Sequence, residues 1–263
     1  MTTPIWQVDA FTDEPFRGNP AAVCVLDGPR PEAWMQGVAA EMNLSETAFL
    51  VPRDDGSYRL RWFTPACEVR LCGHATLASA HVLWSEGFVE PAATIAFHTL
   101  HSGVLKAERR GDRIELDFPA RTAEEVPPPG GLADALGLEP AFVARAIDDY
   151  VVLAESEAAV RRLSPDMAKL RQVEARGVIV TAPGADFDFV SRFFGPSVGV
   201  DEDPVTGSAH CCLAPFWADR LGRTEMIGYQ ASPRGGIVAV TLTGDRVKLA
   251  GPAVTVLRGE LLV

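Results

Sequence analysis

Apolar residues recur along the chain in two patterns. Short alternating or continuous apolar runs bounded by Gly, Pro and Asp predict strands. In the first half they cover Ile5–Phe11, Ala21–Leu26, Ala48–Val51, Tyr58–Phe63, Thr94–His98, Val104–Arg109 and Arg113–Phe118. In the second half they cover Tyr150–Ala154, Gly177–Thr181, Phe187–Phe193, Ile237–Leu242 and Arg246–Ala250. Helical spacing predicts amphipathic helices over Pro31–Glu41, Glu157–Leu163 and Pro165–Val173.

Two further helices lack a polar face. One opens at Gly73-His74-Ala75 and carries Leu77, Ala78, Ala80, Val82, Leu83 and Trp84. The other opens at Gly207-Ser208-Ala209 and carries Cys211, Cys212, Leu213, Ala214, Phe216 and Trp217. A helix that is apolar all round is buried on all sides. Each follows a similar strand end: Arg61-Trp62-Phe63-Thr64-Pro65, eight residues before Gly73, and Arg192-Phe193-Phe194-Gly195-Pro196, eleven residues before Gly207. The repeat predicts an α+β fold of two pseudo-symmetric halves, each a curved sheet or barrel around a central helix.

Three prolines and two glycines in Glu124-Glu125-Val126-Pro127-Pro128-Pro129-Gly130-Gly131 interrupt both helix and strand. The expected organisation is therefore a first half over 1–120, a linker over 121–131 and a second half over 132–252.

Composition narrows the function. The 263 residues carry 24 Lys+Arg against 35 Asp+Glu, a net charge of −11, which disfavours nucleic-acid phosphates and anionic membrane surfaces. No apolar run reaches the ~20 residues of a membrane span. No secretory signal opens the chain, and five cysteines without a C-x-x-C pair predict a reduced, cytoplasmic protein. Dinucleotide, P-loop and nucleophile-elbow motifs are absent, so no cofactor is expected. His98-x-x-His101 has metal-ligand spacing but no third ligand nearby, so no metal is expected either.

The chemistry is expected at the N-termini of the two buried helices, where unpaired N–H groups and the helix dipole favour an anion. If both face one cleft, Gly73 and Gly207 would hold a small carboxylate. Ser208 offers a hydroxyl there, either as a helix cap or as a ligand donor. His74 stands at the first N-terminus, and Asp203, in Asp201-Glu202-Asp203-Pro204, is placed to hold its imidazole in one tautomer and raise its pKa. Glu46, just before an apolar strand, suits a general acid or base acting on a carbon acid. The residues alone leave open that Glu46 is a solvent-exposed strand-end glutamate.

Several motifs resemble the phenazine-biosynthesis-like (PhzF) isomerase family. They are Val8-Asp9-Ala10-Phe11-Thr12 with Phe16-Arg17-Gly18-Asn19-Pro20-Ala21-Ala22-Val23, then Asn43-Leu44-Ser45-Glu46-Thr47-Ala48-Phe49, and Arg61-Trp62-Phe63-Thr64-Pro65. Leu71-Cys72-Gly73-His74-Ala75-Thr76 and Glu202-Asp203-Pro204-Val205-Thr206-Gly207-Ser208-Ala209 complete the set, which spans about 200 residues. The resemblance implies the diaminopimelate-epimerase-like fold, a homodimer, and a return of residues 253–263 to the first half. It also implies catalysis by Glu46 supported by His74, Asp203 and Ser208, with Asn19 a further candidate.

Cofactor-independent racemases of similar fold place a thiol at each helix N-terminus. Here Cys72-Gly73 matches the first, whereas Thr206 occupies the second. A threonine alkoxide cannot serve as the second base. The expected reaction is therefore a proton and double-bond shift on a small carboxylate by one carboxylate, Glu46. Two alternatives stand beside it: an epimerase using Cys72 with another base, and a non-enzymatic interaction protein on the same fold. Ala75 stands where members making the phenazine precursor commonly carry proline, which leaves the substrate open.

Overall fold

A computed structural model describes residues 2–263. The chain divides into two compact units, one of residues up to Phe118 together with Ala250–Val263, the other Pro119–Leu249.

In the first unit, β1 (Thr3–Ala10) pairs antiparallel with β2 (Asn19–Val25) and, on its other edge, with the chain's last strand, Ala253–Leu261. β2 runs parallel to β3 (Glu46–Pro52), and β3 pairs antiparallel with β4 (Tyr58–Phe63). β4 also takes the short β5 (Glu68–Val69) antiparallel and β6 (Ile95–His98) parallel. The meander ends with β7 (Val104–Arg110) and β8 (Arg113–Pro119).

Two helices serve this unit. The amphipathic α1 (Glu32–Met42) lays Met35, Val38 and Ala39 on an apolar cluster with Phe49 and Phe63. It stops at Asn43, a residue type that tolerates the left-handed conformation seen there (φ 49°), and the Asn43 N–H bonds the Ala39 carbonyl. The second helix, α2 (Gly73–Ser85), packs against β1, β2, β3 and the last strand. Two of its buried polar residues close on the helix itself: the Thr76 hydroxyl donates to the Cys72 carbonyl at 2.6 Å and the Ser79 hydroxyl to the Ala75 carbonyl at 2.7 Å. That removes the cost of burying them and explains a helix without a wet face.

The second unit departs from expectation at its start. Residues 121–131, expected to be a linker, are built into it: Glu124–Glu125 pair antiparallel with Ala144 and Arg145, and the Val126 N–H bonds the Val143 carbonyl. Proline bars helix and central strand, but not a two-residue edge strand followed by an extended approach to a helix. That helix, Leu132–Leu136, and the strand Phe142–Arg145 were not anticipated; both are too short for a periodic signal. Phe142–Arg145 pairs antiparallel with Asp149–Leu153, which runs parallel to Gly177–Pro183. Phe189–Gly195 follows antiparallel, then Glu225–Gln230 parallel to it, then Gly236–Thr243. The helix expected over Pro165–Val173 is confined to Met167–Leu170, because Asp166 caps it by accepting from the N–H groups of Ala168 and Lys169.

The long helix of this unit, α6 (Gly207–Leu221), follows α1, α2, Leu132–Leu136, Glu157–Arg162 and Met167–Leu170 in the chain and contains Pro215. Proline leaves the carbonyl four residues back without its helical donor. Here that carbonyl belongs to Cys211, and the Arg121 N–H takes it at 3.0 Å. The helix thus continues through its proline because the segment once read as a linker supplies the missing donor. Trp217 is buried and donates to the Thr181 hydroxyl at 3.0 Å.

Candidate active site

Two parallel strand starts and one helix start converge in the first unit. Asn19 is the first residue of β2, Glu46 the first of β3, and His74 the second of α2. The parallel pairing sets Ala21 beside Glu46. The approach to β2 is a tight loop in which Phe16 (φ 70°) and Gly18 (φ 60°) are left-handed, and the Phe16 N–H donates to Asp9 at 2.7 Å. This turns the chain so that the wholly buried Asn19 faces the imidazole.

His74 is held from both ring nitrogens. The Asn19 amide lies 3.1 Å from Nδ1, and Glu46 Oε2 lies 3.1 Å from Nε2. Cys72 Sγ is 3.6 Å from Nδ1 and 3.9 Å from Nε2. Within this unit the imidazole is contacted by Asn19 and Glu46. An asparagine amide presents an oxygen or a nitrogen according to its rotation, so Asn19 can match either protonation state of Nδ1.

Burial opposes charge on His74, but the Cys72 sulfur and the Glu46 carboxylate beside it outweigh that effect and hold the imidazole well above 6.5. Burial first, and the Glu46 charge second, push the Cys72 thiol up to about 11. It is therefore a neutral thiol at neutral pH and not the activated thiolate that a thiol base requires.

Glu46 Oε2 is buried, and among the described residues it accepts no hydrogen bond of good geometry, only the ion-pair contact with His74. Buried carboxylate oxygens are normally hydrogen-bonded, and one that is not calls for an explanation, a catalytic role among them. Neither buried helix has a side-chain cap: Cys72 and Thr206 are the N-cap residues and neither side chain bonds the first turn. First-turn N–H groups at Gly73 and Gly207 are left to other partners.

In the second unit, Asp203, Thr206 and Ser208 surround the start of α6. The Thr206 hydroxyl donates to Asp203 at 2.6 Å, and Gln230 receives the Thr206 N–H at 2.8 Å. The Gln230 amide returns a bond to the Asp203 carbonyl at 2.7 Å. Ser208 is not the cap, because the N-cap position falls two residues earlier. Its hydroxyl instead receives Arg176 Nη2 at 3.0 Å, while Arg176 grips the buried Asp149 with both guanidinium arms. Sequence reading missed Arg176, Asp149 and Gln230, since strand pairing brings each to its partner from 24 to 32 residues away. Glu202, beside Asp203, accepts from the buried Arg192 at 2.7 Å.

The pH behaviour of His74 follows from its raised pKa. Its charge contributes stability fully below pH 6.5, and the contribution is lost as pH rises through the folded value, which lies well above 6.5. We expect the His74 ring resonances to titrate well above 6.5 in an NMR pH series, and to move down in Glu46→Gln. A titration at or below 6.5 in the wild type would contradict the ion pair.

Residues 8–259 match the family model described as phenazine biosynthesis-like protein. The chain belongs to this family. It is 54% identical over 266 residues to an uncharacterized isomerase of Halalkalibacterium halodurans, covering 100% of both chains. A crystal structure of a PhzF-family phenazine biosynthesis protein from Enterococcus faecalis superposes with a TM-score of 0.96 at 43% identity, covering all of both chains. A hydroxyproline epimerase of Agrobacterium vitis, at 12% identity and a TM-score of 0.64 over 99% of this chain and 92% of its own, shares the fold. The architecture is the diaminopimelate-epimerase-like α+β fold. No helix among the described residues is long and apolar enough to cross a membrane.

Proposed function

We propose that this protein is a cofactor-independent isomerase that moves a proton, and with it a double bond, on a small carboxylate substrate. Glu46 is the general acid/base. The observation that carries this reading is the buried Glu46 Oε2, without a hydrogen bond of its own and 3.1 Å from the imidazole of His74. A carboxylate so placed can take a proton from carbon, hold it as the neutral acid and return it to a neighbouring carbon. The similarity to proteins named as isomerases supports the same class.

In this reading His74 supports catalysis in the first unit, where the helix start at Gly73 offers N–H groups to a carboxylate; in the second unit Asp203 is a supporting residue, and Gly207 and Ser208 offer N–H and hydroxyl groups of the same kind. Asn19 positions His74. The protein acts in the cytoplasm as a homodimer, which sedimentation velocity would check.

The thiol-based epimerase is the weaker reading, because Cys72 is buried and its thiol is raised to about 11, and because Thr206 stands at the second helix start. We expect Cys72→Ala to keep most of the turnover. Loss of turnover in Cys72→Ala with retention in Glu46→Gln would overturn the assignment.

A thermal-shift screen against small carboxylates, cyclohexadiene and amino acids among them, tests the substrate class. A ligand at 100 times its Kd stabilises by ~2.7 kcal/mol, a readable shift. No shift from any member, in well-folded protein, would count against a small-anion site.

A further inference from the structure

In the second unit a serine hydroxyl is tied to a buried ion pair. Asp149 opens the strand Asp149–Leu153 and is 2% exposed, and parallel pairing sets it beside Gly177, the residue after Arg176. Arg176 donates to it from Nε at 2.9 Å and from Nη2. The other N–H of Nη2 goes to Ser208 Oγ at 3.0 Å. Two further contacts hold the arginine. Its backbone N–H donates to the Asp148 carbonyl at 2.8 Å, and its guanidinium carbon lies 5.3 Å from the centre of the Phe193 ring. Gly177 makes room for that ring, since a Cβ there would lie 2.2 Å from it.

Buried ion pairs often add no stability over apolar packing, whereas the planar fork of a guanidinium fixes the positions of what it binds. A hydroxyl has one proton to give and two lone pairs to receive with. Ser208 spends a lone pair on Arg176 and makes no second hydrogen bond among the described residues. Its proton is left to donate. Receiving a bond from a cationic group also polarises the hydroxyl and strengthens that donation.

We infer that Arg176, locked by Asp149, is a positioning residue that holds the Ser208 hydroxyl as a donor to a substrate carboxylate. The inference rests on the reading of Ser208 as a carboxylate ligand. Arg176 acts through the hydroxyl and does not bind the anion itself, because its charge is already met by Asp149.

Acetate, the simplest carboxylate that keeps a carbon body, is the probe. It is titrated into the full-length protein while the Gly207 and Ser208 amide resonances are followed by NMR. We expect saturable shifts in the wild type. Ser208→Ala weakens acetate ~10-fold, as loss of a hydrogen bond to a charged group does. Arg176→Lys keeps a charge opposite Asp149, but its ammonium ends about where the guanidinium carbon stood, short of Ser208. It weakens acetate ~3-fold, the cost of leaving the serine three staggered positions. The double variant binds no more weakly than Ser208→Ala alone, since the cation has nothing to act through once the hydroxyl is gone.

Unchanged affinity in Arg176→Lys, or losses that multiply in the double variant, would overturn the proposal and leave Ser208 a carboxylate ligand. No saturable shift in folded wild type, or an undiminished affinity in Ser208→Ala, would overturn that reading of Ser208 and the proposal with it. Should Arg176→Lys fail to fold, the pair Asp149→Asn with Arg176→Gln decides. It removes both charges together and ends the side chain where Nε stood, so unchanged acetate affinity there overturns the proposal too. None of these results bears on the assignment of Glu46.

Discussion

Replacing Glu46 with glutamine lowers turnover ~10²–10⁴-fold, the span that a positioned general acid/base supplies. The substitution keeps the shape of the side chain and removes only its capacity to carry the proton. Substrate affinity should therefore change little, because carboxylate binding is assigned to helix N-termini and Ser208. The loss appears in kcat with KM nearly unchanged, the pattern of an interaction made in the transition state alone. A loss confined to KM would instead make Glu46 a binding residue. His74 loses its charged neighbour in the same variant, so its pKa falls, and the ring resonances report that fall without any substrate.

The largest stability effect is expected at Gly18. Its φ of +60° is a conformation that side chains other than glycine adopt at a cost, and an added Cβ would lie 2.1 Å from the Ala10 carbonyl oxygen and 2.7 Å from a Thr12 methyl. The carbonyl belongs to backbone at the end of β1 and cannot rotate away as a side-chain tip would. Gly18→Ala should therefore cost roughly 3 kcal/mol or more. At ~2–4 °C per kcal/mol for a chain near this size, Tm falls by about 6–12 °C. Asn19 follows directly and would be carried off Nδ1 of His74, so residual folded protein should also show a disturbed His74 titration. A Tm within 2 °C of wild type, within about 1 kcal/mol, would show that the loop relaxes freely.

Much of this was legible in the sequence because it depends on local pattern. The apolar all-round runs at Gly73–Ser85 and Gly207–Leu221 announced buried helices, and Tyr58–Phe63 alternated cleanly enough to locate β4 at its observed bounds. Glu46 and His74 are candidates from local pattern alone, and it is the resemblance of their motifs to the family that implies the catalytic role of Glu46. Their contact was not foreseen, since the parallel pairing of β2 with β3 and the packing of α2 on both are long-range events.

The same holds for Arg121 closing the gap at Pro215 and for Arg176 reaching Ser208. A proline run reads as a break from its own chemistry, and nothing local shows that its neighbour will donate to a distant carbonyl. Short elements such as Leu132–Leu136 and Phe142–Arg145 carry too few residues for a period to register.

The central claim is that Glu46 carries a proton to and from carbon. The direct measurement is NMR-detected deuterium incorporation from heavy water into a carboxylate that the thermal-shift screen shows to bind. The account predicts exchange at a single carbon-bound position with the wild type, little change with Cys72→Ala, and none above background with Glu46→Gln although the ligand still binds. Exchange that persists in Glu46→Gln and disappears in Cys72→Ala would contradict it.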